Sequence, residues 1–171
     1  MIKQRFLIDA NSLITPYKQY YPFDFASGFW EQMEQCIHEG NILFLDMVRN
    51  EILNGDDELS EWMKKLKVAQ IIDHRDPKIL DHYRGVLQYI QSCPYYKETA
   101  LMEWARESVA DPWLIATAVV YGCPIVTFET PNSNPNLKQP WKMAKIPEVA
   151  SRFDVVTVDL FQMMRTLQFK I

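Results

Sequence analysis

The stretch ADPWLIATAVVYGCPIVTFE, residues 110–129, constrains the fold of this chain more than any other. Asp111-Pro112 pairs a capping side chain with a residue of fixed φ, the combination that opens a helix. An apolar, Ala-containing run follows from Trp113 to Tyr121, and Gly122 supplies the residue on which helices end. PIVTF, Pro124–Phe128, is then apolar almost without a break, as a strand is when both of its faces are buried. A helix that delivers the chain into such a strand implies a parallel sheet with right-handed helical crossovers. The run is broken by Gly122 and Pro124 and falls short of the roughly 20 residues of a membrane span, so no membrane partner is expected.

Period and punctuation give the other elements. Gln4–Asp9 and Asn41–Asp46 read as strands, with a helix over Gly28–Glu39 between them, closed by Gly40. Asp46 reads as the cap of a helix over Met47–Asn54, and Glu58–Lys67 as an exposed charged helix. Asp76-Pro77 opens a helix that runs through Ser92, and Glu98–Ser108 is a further one. TPYKQYYPFDFAS is an aromatic loop, and a second loop runs from Glu129 to Arg152. The chain closes with a strand, Asp154–Val158, and a helix, Leu160–Leu167, capped by Asp159. The expected architecture is α/β, a three-layer fold with a parallel β-sheet flanked by helices, in a single domain over residues 1–171.

Composition narrows the function. A hydrophobic content of 48% excludes disorder. The three cysteines are odd in number and lie among apolar neighbours, which suits buried thiols in a reducing cytoplasm. The apolar run after Arg5 is only Phe6-Leu7-Ile8, so no leader is expected. A net charge of −4 opposes broad attraction to nucleic acid. Chemistry on a nucleic acid would need local basic groups and a bound cation.

Four carboxylates fall where such a cation would be wanted. Ligands of open parallel sheets bind beyond the carboxyl ends of the strands. Asp9 ends the first strand, Glu129 ends PIVTF, Asp111 starts the helix that feeds it, and Glu51 lies one turn into the helix after the second strand. Each alone has an ordinary explanation as a cap, a turn or a solvated acid. Together they repel one another unless a cation holds them. Oxygen ligands suit Mg²⁺ or Mn²⁺ rather than zinc, and His38, His74 and His82 have no metal-ligand spacing.

FLIDANSLI (Phe6–Ile14), VRNEIL (Val48–Leu53) and the run from Ala110 to Glu129 resemble the PIN-domain nuclease family. YYPFDFASGFW and KIPEVASRFDVVTVDLF are similar to a PIN-like subgroup of prokaryotic proteins. The resemblance spans nearly the whole chain and is weakest over Asp56–Ser108. It implies an acidic pocket that binds divalent metal and hydrolyses RNA phosphodiesters. Asp9, Glu51 and Asp111 match the family's three core acids, and Glu129 stands where the fourth is usually Asp. Asn11 or Ser12 matches the small polar position after the first acid, ordering water or phosphate, and Thr127 matches a hydroxyl position on the last strand. Metal would be bound by Asp9 and Asp111, with Glu51 and Glu129 completing the shell.

RNA is the expected substrate. Lys138, Lys142 and Lys145 with Trp141, in the loop after Glu129, are candidates to take phosphate and stack a base. The alternative is a solvated loop pinned by Trp141. The resemblance also implies a VapC-type toxin masked by a small antitoxin protein. Some aromatics of Tyr17–Trp30 are candidates for a homodimer or partner surface. A catalytically inactive PIN-like module that binds RNA or protein is the competing reading, and the Glu129 substitution points to it. A phosphatase would want a second Asp where Asn11 stands.

Overall fold

The computed structural model describes residues 4–170. Phe6–Ile8 (β1) is buried at all positions, after which the short α1 (Asn11–Thr15) leads into a π-helical turn at Pro16–Tyr20. α2 (Ser27–His38) buries Phe29, Trp30, Met33 and Ile37 and ends at Gly40, whose φ of +76° favours glycine. β2 (Ile42–Leu45), again buried throughout, runs directly into α3 (Asp46–Leu53). α4 (Glu58–Lys65) starts at a reciprocal cap in which Asp57 accepts from the Ser60 N–H. β3 (Ile71–Ile72) follows, then α5 (Pro77–Ser92), α6 (Glu98–Trp104) and α7 (Asp111–Tyr121). The chain continues through β4 (Ile125–Val126), α8 (Ile146–Ser151), β5 (Thr157–Val158) and α9 (Leu160–Thr166).

The strands form one sheet in the order β3-β2-β1-β4-β5. The pairings of β1 with β2, β1 with β4 and β2 with β3 are parallel, with Leu7 opposite both Leu43 and Ile125. The fold is therefore α/β, a parallel sheet flanked by helices, as the alternation of buried strands and helices led us to expect. Residues that are apolar in succession, such as Ile42-Leu43-Phe44-Leu45, have no polar face to give to water.

The described residues fall into two compact units. The first holds the chain up to Asp73, Pro124–Phe128 and the chain from Val158 onward, and so contains most of the sheet. Its core includes the aromatic stretch: Tyr21 stacks on Phe29 at 4.5 Å, Phe23 on Trp30 at 4.3 Å, and Trp30 meets Trp62 edge-on at 5.0 Å. Phe25 lies outside this cluster, 73% exposed.

The second unit holds His74–Cys123 and Glu129–Thr157. α7 is buried from Pro112 to Ala118 and packs chiefly against α5, so it is apolar around its circumference. It ends on Gly122 at φ +60°, where an added Cβ meets nothing, so the requirement for glycine is conformational rather than steric.

Several elements differ from expectation. Ala110 is the cap residue of α7, and Asp111 lies inside the first turn, where a carboxylate meets the positive end of the helix. Asp46 likewise is the first residue of α3 rather than its cap. PIVTF pairs as a strand only over Ile125–Val126. The aromatic loop, residues 15–27, is helical as far as Tyr20, and the loop after Glu129 contains α8. The three cysteines form no disulfide among the described residues, and Cys123 is buried whereas Cys36 and Cys93 are half-buried. No helix among the described residues is long and apolar enough to cross a membrane.

Candidate functional site

Each strand of the first unit's sheet is followed at once by an oxygen-bearing side chain: Ile8 by Asp9, Leu45 by Asp46, Ile72 by Asp73, Val126 by Thr127 and Val158 by Asp159. Parallel pairing puts these residues at one edge of the sheet, the edge at which ligands of such sheets bind. The register makes neighbours of Asp9 and Thr127 beyond Ile8–Val126, and of Asp46 and Asp73 beyond Leu45–Ile72.

Asp9 is the best-defined member. It is 7% exposed, a burial that charged side chains reach only with compensation. Its Oδ2 accepts a 3.0 Å hydrogen bond from the hydroxyl of Thr127, itself buried. Its N–H donates to the Val126 carbonyl at 3.0 Å, and the buried Ser12 hydroxyl donates to the same oxygen at 3.0 Å. Asp9, Ser12 and Thr127 are thus brought together around the end of β4. Ser12 is spent on backbone, whereas Asn11, the first residue of α1, is exposed.

Asp46 and Asp73 bring a carboxylate oxygen each within 4.8 Å of one another. An acidic pair at that separation could hold a metal ion. Neither residue was expected at a site. Asp46 reads in sequence as a helix cap, and its Oδ1 does accept the Met47 N–H at 2.8 Å. Asp73 follows a strand of two residues, too short to show a period. The signal that would have found both is an Asp directly after an apolar strand, repeated along the chain. Glu51 stands on α3 at the surface, yet the protein packed around it pushes its carboxyl above the usual range.

The second unit carries the other expected residues. Asp111 is half-buried at the start of α7. Glu129 is half-buried and tied to α8: its Oε2 accepts the Ile146 N–H at 2.7 Å, and its Oε1 lies 3.6 Å from Lys145 Nζ. Lys145, expected to face RNA, therefore has a carboxylate beside it. Lys138 and Lys142 are exposed. Trp141 is pinned through its backbone: its N–H donates to the Tyr95 carbonyl at 2.7 Å, and its carbonyl accepts from Lys97 at 2.8 Å. His74, expected at the surface, is half-buried with its ring edge-on to Trp113 at 4.9 Å.

The fold and this edge define an α/β chain of the class whose ligands bind beyond the carboxyl ends of parallel strands. The chain belongs to the family described as "Domain of unknown function (DUF4411)", whose model matches residues 6–171. No curated protein matches it.

Proposed function

We propose that this chain is a divalent-metal-dependent ribonuclease of the PIN type, hydrolysing RNA phosphodiesters at the carboxyl edge of its sheet. The observation that carries the reading is Asp9, a carboxylate 7% exposed at the end of the central strand and oriented by the Thr127 hydroxyl at 3.0 Å. The donor set fits a hard cation. Asp9, Asp46 and Asp73 offer oxygen on one sheet edge, and Glu51, raised by burial, is an acid that a nearby positive charge would favour in its ionised form. Mg²⁺ or Mn²⁺ held at this edge, with Asp9 as a ligand, would lower the pKa of a bound water and offset charge developing on the phosphate.

The chain's own groups do the rest. Thr127 holds Asp9 to one rotamer, Ser12 fixes the backbone after it, and exposed Asn11 is left to order water or phosphate. Asp111 and Glu129, in the second unit, are the acids the PIN resemblance adds. A small antitoxin protein that masks the activity is the partner this reading implies. One observation favours the competing reading, an inactive PIN-like module: both Glu129 oxygens already have neighbours at α8, in the Ile146 N–H and Lys145.

Cleavage of mixed RNA by the purified chain in Mn²⁺, Mg²⁺ and EDTA decides between them. The nuclease requires metal and is lost in Asp9→Ala and Asp111→Asn. RNA left intact in every metal would sink the nuclease and favour the module.

A further inference from the structure

We propose that a cavity of about 320 Å³ in the second unit docks one unstacked nucleobase and its phosphate, presented by single-stranded RNA. The inference rests on RNA as substrate and extends that reading to a site outside the acidic edge. Tyr89, Tyr95, Tyr96 and Trp141 line the cavity together with Glu148 and Arg152. The Trp141 ring lies 5.3 Å from Tyr96 and 6.1 Å from Tyr95, and Tyr89 meets Tyr96 edge-on at 6.3 Å. Backbone pairing with Tyr95 and Lys97 and a 3.1 Å bond from Trp141 Nε1 to the Ser133 carbonyl fix the indole, which remains half-exposed. A rigid aromatic face open to solvent is what a splayed base stacks on.

The charges around the rings decide the class of guest. Glu148 is the carboxylate among the lining residues, and its oxygens are occupied from within. Oε1 accepts from the Tyr96 hydroxyl at 3.1 Å, Asn132 Nδ2 at 2.6 Å and the Lys145 N–H at 3.0 Å; Oε2 accepts the Asn132 N–H at 2.8 Å. A cationic guest, which aromatic cages otherwise favour, finds that acid already committed. Arg152, by contrast, is exposed, with the Tyr89 hydroxyl within reach of its charge. Aromatic faces, one accessible guanidinium and an occupied acid suit an aromatic anion, and a nucleotide is both. Lys138 and Lys142, the basic residues expected from sequence to meet RNA, do not line this cavity; Arg152, which was not expected, does.

The test is fluorescence anisotropy of a short labelled oligouridylate, chosen because its bases are poorly stacked, in EDTA so that no cleavage intervenes. The full chain is compared with Trp141→Ala, Arg152→Glu and, as a control on α5, Arg84→Glu. We expect Trp141→Ala to weaken binding about tenfold or more. Arg152→Glu weakens it and makes the salt dependence shallower by about 0.7 in the log–log slope, and Arg84→Glu changes nothing. Because Trp141 also anchors its loop, its variant is read beside circular dichroism and beside Arg152→Glu, which alters an exposed side chain whose neighbour is the Tyr89 hydroxyl. Unchanged affinity in both variants overturns the base site and leaves the nuclease reading, which stands on metal-dependent cleavage, intact. No binding by the wild-type chain overturns the site as well, and RNA left uncut in Mn²⁺ would take the nuclease reading with it.

Discussion

Asp9 and Glu148 are both acids held in place by the fold, and the atoms around them differ in kind. Asp9 stands at a strand end beside the Thr127 hydroxyl, on the edge where Asp46 and Asp73 bring oxygens within 4.8 Å of each other. Glu148 receives the Tyr96 hydroxyl, the Asn132 side chain and the N–H groups of Asn132 and Lys145. The first environment lies on an edge that also carries Asp46 and Asp73, an acidic pair that could hold a cation. The second saturates a single charge with donors and ties the loop after Glu129 to α8. An acid's neighbours, more than its burial, separate chemistry from construction.

Thr127 is the most sensitive way to break that contrast. Removing its hydroxyl in Thr127→Val releases Asp9 from its orienting bond, and loss of such a partner costs about 10- to 100-fold in metal affinity or activity. Metal titration of the variant checks this, and the fold should survive because Val fills the same volume. Glu148→Ala acts on stability instead. It strands donors of two loops, and we expect a loss of about 2 kcal/mol in urea unfolding.

The two buried threonines sharpen the comparison further. Thr127 spends its hydroxyl on Asp9, whereas the Thr117 hydroxyl, inside α7, has no hydrogen-bond partner. A buried hydroxyl without a partner is a cost, so Thr117→Val is expected to raise stability by about 1 kcal/mol, measured by the same unfolding. One substitution would then weaken metal binding at Thr127 and raise stability at Thr117, the difference following from the partner of each hydroxyl.

The smallest effect concerns pH. Burial, and then the charge of Glu148, push the Tyr96 phenol above its ordinary range. The unfolded chain releases that proton near pH 10, while the folded chain keeps it. The folded state therefore binds more protons above about pH 10, and stability falls as pH rises through that range. Thermal unfolding between pH 8 and 11 should show the fall, and Tyr96→Phe should flatten it.

Most of the scaffold was legible in the sequence because it rests on long or strongly punctuated signals. β1 and β2 are continuous apolar runs, Asp76-Pro77 opens α5, and Gly122 closes α7 where left-handed backbone is required. Asp159 caps α9 through the Gln162 N–H at 2.7 Å, as its position before an apolar run implies. The rest lay below what a period can show. β3 is Ile71–Ile72, and a two-residue strand has no alternation to read. Pro16 reads as a breaker in the aromatic loop, and the structure puts it where α1 gives way to a π-helical turn over Pro16–Tyr20. α8 carried the same signal at Pro147, with Glu148 behind it, hidden in a stretch that reads as loop.

The site divides the same way. Asp9 stands out in sequence as a polar residue ending a buried strand, whereas Ser12 and Thr127 entered only through the PIN resemblance; the structure sets all three around the end of β4. Asp46 and Asp73 were missed, the one because it resembles a cap and the other because its strand is too short. Glu129 was expected as an acid at a strand end, whereas β4 stops at Val126, and its bond to Ile146 joins residues far enough apart that no local pattern reports it.

The most direct measurement is Mn²⁺ binding to the intact chain by electron paramagnetic resonance, with Asp9→Ala and Glu148→Ala beside the wild type. Uptake of Mn²⁺ by the wild type and by Glu148→Ala, with affinity at least about tenfold lower in Asp9→Ala, is the expected result. No uptake, or equal uptake with and without the Asp9 carboxylate, would contradict a cation site at the sheet's edge.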